Sequence, residues 1–208
     1  MDSNRTSFVT TVIHEIKNSL RGEPHTFTEI RTMIEDARIA ETGFIEILLQ
    51  HHRFLNESIT ILVDRDSLPV EKQIHLDRFI RLWEMHAHAE EETLYRSLKR
   101  HANQGVHREA LVGQDEHDLA FRLTEELKNS AYMSEWNDDI DAKSQVLANL
   151  VASHLLEEEG VTFPLAKKAL LAGEMQVLSA DYLDLCEFYL DGDSRILIPT
   201  LMTWPINP

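Results

Sequence analysis

The sequence predicts an all-α fold: an antiparallel, up-down four-helix bundle with additional helices at its N- and C-terminal ends. Three observations predict it. Apolar residues recur every three or four positions along most of the 208-residue chain, the period of a helix with one buried face. The chain has only 7 Gly and 6 Pro, so long stretches run without a breaker, unlike a many-turned β fold. Each of the four longest amphipathic stretches carries one histidine inside its apolar stripe: His52, His86, His117 and His154.

The elements follow in order. Phe8, Val12, Ile16 and Leu20 make a short helix ended by Gly22 and Pro24. A second helix opens near Thr26 and carries Ile30, Ile34 and Ala37, and Gly43 marks a break after it. The first long helix, about 41–64, carries Ile45, Leu48, His52, Leu55, Ile59 and Leu62. The second, about 70–102, carries Phe79, Trp83, His86, Glu90, Leu94 and Leu98. The third, about 107–132, carries Ala110, Gly113, His117, Phe121 and Thr124. The fourth, about 138–171, carries Leu147, Leu150, His154, Glu158, Val161 and Leu165; Pro164 should kink or end it. A last helix, 174–190, carries Met175, Leu178, Tyr182, Cys186 and Tyr189, and an apolar tail with three prolines follows. The chain divides into an N-terminal extension (1–40), the bundle (41–171) and a C-terminal helix with its tail (172–208).

Charge and cysteine content narrow the function. Lys and Arg number 20 against 36 Asp and Glu, a net charge of −16. Such a chain suits neither a phosphate backbone nor an anionic membrane surface, so neither nucleic acid nor membrane is an expected partner. The single cysteine, Cys186, rules out a disulfide framework and cysteine-cluster zinc sites. No apolar run approaches a membrane span. The first residues lack a charged-then-apolar leader pattern, and a cytoplasmic location is the expectation.

The placed histidines point to metal. Two of them are followed four residues later, on the same helix face, by a glutamate: His86 by Glu90 and His154 by Glu158. A carboxylate in an apolar seam is costly unless it is paired or binds a cation. The four histidines are 34, 31 and 37 residues apart. A loop of about 6 residues leaves arms of about 14 residues, on the order of 21 Å. Near-equal arms put all four imidazoles at mid-height in one up-down bundle. Four imidazoles and two carboxylates exceed the four ligands of a structural zinc, and calcium and magnesium prefer oxygen. The mixed set of six suits two transition-metal ions bridged by carboxylates, iron or manganese before others. No His has a Glu three residues before it, so the ferritin-like Glu-x-x-His pattern is absent, and His14-Glu15 is not part of an HExxH.

The segments H-A-H-A-E-E-E-T-L-Y (86–95) and H-L-L-E-E-E-G-V-T-F-P (154–164) both read His-x-x-x-Glu-Glu, with an aromatic nine residues after the His. Together with L-L-Q-H-H-R-F-L around His52 and D-E-H-D-L-A around His117, the pattern resembles the hemerythrin-like HHE cation-binding family over roughly 41–170. The resemblance implies a bundle holding an oxo- or hydroxo-bridged di-iron centre, with manganese or zinc as substitutes. By position, His52, His86, His117 and His154 would be terminal ligands, and Glu90 and Glu158 bridges. The oxygen-carrying hemerythrins place His-x-x-x-His on the third long helix. Here the positions four either side of His117 are Gly113 and Phe121, neither of which can ligate. His51 or Glu57 are the candidate replacements, and Glu159 is the alternative to Glu158. One imidazole fewer leaves more room for a small ligand and speaks against simple oxygen transport.

Of the other residues, His51 and His88 are expected on solvated or flanking faces, Glu91 and Glu159 at the surface or orienting a ligand, and Cys186, Trp83 and Tyr95 in the core. Three function classes follow. The first is a di-iron protein that binds or senses dioxygen, nitric oxide, peroxide or iron itself. The second is a di-iron oxidoreductase acting on peroxide, nitric oxide or ferrous iron, for which the seam shows no spare acid or base. The third is an interaction protein with a structural metal, its terminal extensions offering a homodimer surface.

Overall fold

The computed structural model of the chain describes residues 25–191. The helix expected over 8–20 and the apolar tail after Asp191 lie outside them. Among the described residues every regular element is helical, and none is long and apolar enough to cross a membrane.

Helix α1 (His25–Ile39) buries Ile30, Ile34 and Ala37. It closes with Thr42 N–H donating to the Ala37 carbonyl and Glu41 N–H to that of Arg38, a pattern that needs a left-handed residue. That residue is Glu41 (φ 49°). The break falls where the sequence placed it, and Gly43 closes it: its extended backbone (φ −64°, ψ 150°) makes it the N-cap of α2 (Phe44–Val63). Helix α3 (Pro69–Glu90) begins with a proline, where no amide partner is needed, and the Glu71 carboxylate accepts from Leu68 N–H. The chain then makes a π turn (Glu91–Tyr95) and a last turn of α-helix, α4 (Arg96–Lys99). The side chains of Asn103 and Asn137 cap α5 (Gln104–Lys128) and α6 (Asp138–Glu157). Helix α6 carries three aspartates in its first turn, the favourable end of its dipole. A second π turn (Glu158–Thr162) leads into α7 (Phe163–Ala169), and α8 (Ala172–Asp191) is the last described helix.

Helix α2 packs on α3 and α6, and α5 packs on α6 and α4. Leu48, Leu55, Leu82, Leu94, Leu147 and Val151 fill the interior between them. Helix α8 lies along α3 and touches α1 and α2. Arg38 of α1 holds it through Asp184 (2.8 Å) and Glu187 (3.2 Å), and Arg31 pairs with Asp191.

The apolar stripes of α2 and α3 are buried at every position named above. The fourth stripe is not. Val161 is 41% exposed and Leu165 half-buried, while Thr162, Phe163 and Ala166 are buried in their place. The wider π turn rotates everything after Glu158 relative to α-helical phase. The same turn absorbs Pro164, which stands in the first turn of α7 and does not end the helix.

Candidate metal centre

Four helices build the centre, each delivering a buried imidazole from its apolar face. His52 comes from α2, His86 from α3, His117 from α5 and His154 from α6; Glu90 ends α3 and Glu158 opens the second π turn. None of the six is more than 2% exposed. The structure brings all six together. Facing atoms of His52, His86 and Glu158 lie within 4.8 Å of one another, as do those of Glu90, His117, His154 and Glu158. Glu158 belongs to both groups: one oxygen is 3.2 Å from His52 Nε2 and the other 3.3 Å from His154 Nε2. A single oxygen of Glu90 lies 3.4 Å from His86 Nε2 and 3.9 Å from His117 Nε2.

The outer nitrogens of three rings fix their tautomers. Nδ1 of His52 donates to Glu159 (2.8 Å), that of His117 to Glu91 (3.2 Å) and that of His154 to Glu116 (2.7 Å). A proton on Nδ1 leaves the lone pair on Nε2, aimed inward. Nε2 of His52 and His86, both oxygens of Glu90 and Oε2 of Glu158 have no hydrogen-bond partner although fully buried. His117 Nε2 meets His154 Nε2 at 2.8 Å, a contact that repels unless a proton or a cation lies between. Unpaired acceptors converging in a dry interior are costly. A cation removes that cost, so the donor set fits metal.

Electrostatics agree. Burial opposes charge on His154, but the Glu158 and Glu116 carboxylates outweigh it and hold its pKa up at about 9. Burial also opposes charge on Glu158, yet His154 and His52 keep its carboxyl well below the ordinary range. Burial and then the neighbouring Glu158 push Glu90 well above it. Burial lowers His86 and His117, and brings His51 down to about 3. A proton shared at His154 stands where a cation would.

The model of the hemerythrin HHE cation binding domain matches residues 43–166, more than half of the chain. The chain belongs to this family. No curated protein and no solved structure matches it. Membership in the HHE family makes the buried His/Glu cluster a candidate cation site.

Other expectations need correction. His51 is not on a flank: it is fully buried, with Nδ1 2.7 Å from the Tyr182 hydroxyl. His88 is half-buried and stacked between Phe121 and Tyr189, at centroid distances of 4.4 and 5.0 Å. Glu57 is on the surface beside Arg78 and does not replace the missing imidazole. Tyr95 does more than pack: its hydroxyl donates to Glu158 Oε1 at 2.6 Å. It occupies the space that the bare Gly113 leaves open, since a Cβ there would lie 2.3 Å from the hydroxyl. The signal for it was the aromatic nine residues after each His. The π turn brings the residue five after the Glu round to the centre, Tyr95 after Glu90 and Phe163 after Glu158, and the Phe163 ring is 5.2 Å from His52. Glu116 and Tyr182 carried no such signal.

Proposed function

We propose that this chain is a non-haem di-iron protein that binds or senses a small ligand such as dioxygen, nitric oxide or peroxide. His52, His86 and Glu158 would hold one ion, and Glu90, His117 and His154 the other, with Glu158 shared between them. The observation that carries the reading is the convergence of fully buried imidazole nitrogens and carboxylate oxygens from four helices, in two groups joined by one carboxylate, with the facing atoms of His52, His86, Glu90 and one oxygen of Glu158 left without a hydrogen-bond partner. Two groups support two ions, and the nitrogen-rich mixture favours iron over calcium or magnesium. Successive helices running alternately up and down would place the four histidines at one level. Support comes from Ser58 against His75, Asp77 against Tyr132 and Glu109 against Thr162, each joining the far end of one helix to the near end of another.

When bound, two irons would supply reversible electron transfer and open positions for the small ligand. The chain's residues would orient, exclude water and hold protons. Glu159, Glu91 and Glu116 fix three imidazoles, and Trp83, 5.1 Å from His117 and 5.8 Å from His154 between ring centroids, shields one wall. Tyr95 holds a proton on Glu158 Oε1 in the space that Gly113 leaves open. That hydroxyl is the observation favouring the second reading, an oxidoreductase acting on peroxide or nitric oxide, because it is a proton donor beyond the ligand set.

Metal analysis of purified protein, with optical spectra before and after peroxide, tests the reading. Two irons per chain and near-ultraviolet bands that respond to oxidant are expected. Glu90→Ala and Glu158→Ala should each hold fewer than two. A folded protein that takes up no ferrous iron overturns the proposal, and steady peroxide consumption selects the oxidoreductase.

A further inference from the structure

We infer that α8, which lies beyond the stretch matched by the family model, is a working part of the metal centre: through Tyr182 it positions His86 and makes the two cation positions unequal. The inference rests on the metal-binding reading above.

The four central imidazoles are not held alike. Three donate Nδ1–H to a carboxylate: Glu159, Glu91 or Glu116. His86 alone among them has a phenol there, with its Nδ1 2.7 Å from the Tyr182 hydroxyl. The same oxygen is 2.7 Å from His51 Nδ1. A phenol has one proton to give. His86, presenting Nε2 to the centre, donates from Nδ1 to the phenol oxygen. The phenol's own proton then goes to His51 Nδ1 or to Cys186, which also hydrogen-bonds it. Whichever partner takes the phenol's proton, the His86 contact is an Nδ1–H given to the phenol oxygen. Tyr182 has no room to turn away, being fully buried and edge-on to Phe44 at 5.7 Å. Arg38 ties α8 to α1, so the phenol's position is set by helix docking.

A carboxylate behind an imidazole raises its basicity and strengthens it as a ligand; a neutral phenol orients the ring without that gain. The position formed by Glu90, His117, His154 and Glu158 has two carboxylate-backed imidazoles. The position formed by His52, His86 and Glu158 has one. The first fills first. The second is the weaker, and its strength depends on α8. Tyr182 is a positioning residue, touching neither ion.

The test titrates metal-free, full-length protein with cobalt(II), followed by calorimetry and by visible absorption, which reports coordination. Wild type should bind two ions in two separated steps. Tyr182→Phe keeps the ring and removes the hydroxyl. It should weaken the second step about 10- to 100-fold, the usual effect of removing such a partner, and leave the first unchanged. Glu116→Gln, altered at a partly exposed site, should do the reverse. A merely structural role for Tyr182 would weaken both steps alike, and that result, or two unchanged steps, overturns the inference. Two equal steps in wild type also overturn it, whatever becomes of the variant. Nitrogen NMR of the histidine rings provides a check without substitution: His86 protonated on Nδ1 supports its positioning by Tyr182, and on Nε2 overturns it. Wild type that binds no cobalt fails at the metal-binding reading instead.

Discussion

Gly113 stands one turn before His117, where a side chain would meet the Tyr95 hydroxyl at 2.3 Å and its ring at 2.5 Å. Glycine in a helix interior ordinarily costs about 1 kcal/mol relative to alanine. Here that cost is offset by the hydrogen bond from Tyr95 to Glu158, which needs the vacant volume. Gly113→Ala therefore runs against helix propensity: it should destabilise the protein by about 1–3 kcal/mol, the range for overpacking, and displace Tyr95 from Glu158. Thermal denaturation checks the first effect and tyrosine ultraviolet absorption the second. At this scale the sequence was legible where chemistry and period coincide, at the four histidines and two glutamates in the apolar stripes. Tyr182 was not, since 96 residues separate it from His86 and its own stripe reads as ordinary core. Glu116 was hidden for a similar reason: it adjoins His117 in sequence but serves His154.

At the scale of elements, the order and type of the helices could be read from apolar period, while two local features could not. Periodicity assumes 3.6 residues per turn, and each π turn breaks that phase just after a central glutamate. Tyr95 and Phe163 reach the centre through that break, and Val161 and Leu165 leave the interior for the same reason. The other feature is the α1–α2 corner. Glycine punctuation pointed to Gly43, but the left-handed position falls on Glu41. A side chain disfavours that conformation by roughly 1–2 kcal/mol, part of which glycine returns through its freer unfolded chain. Glu41→Gly should therefore stabilise the protein by about 0.5–1 kcal/mol, read as a higher denaturant midpoint at unchanged slope. An unchanged or lower midpoint would mean that the Glu41 side chain contributes something its backbone geometry does not reveal.

For the whole molecule, the centre couples folding to pH in two opposed ways. Buried His51, down at about 3, with His86 and His117 also lowered, binds fewer protons folded than unfolded. Their contribution grows as pH rises toward the ordinary histidine value of about 6.5 and is lost as pH falls below it. His154, up at about 9, binds more protons folded than unfolded. Its contribution is whole below about 6.5 and disappears as pH rises through about 9, and Glu90, raised above its ordinary carboxyl value, acts in the same sense above that value. Metal-free protein should accordingly be most stable near pH 6–7 and lose stability on both sides. On the metal-binding reading proposed above, a cation would replace the proton at His154, satisfy the carboxylates and, binding the folded chain, stabilise it by mass action. Because its competitor is that proton, its affinity should rise with pH between 7 and 9 as the metal-free protein weakens. Melting curves with chelator and with excess zinc, taken from pH 5 to 9, should diverge toward the alkaline end. Curves that stay parallel from pH 7 to 9 would show that the proton on His154 and the cation do not compete for the same place.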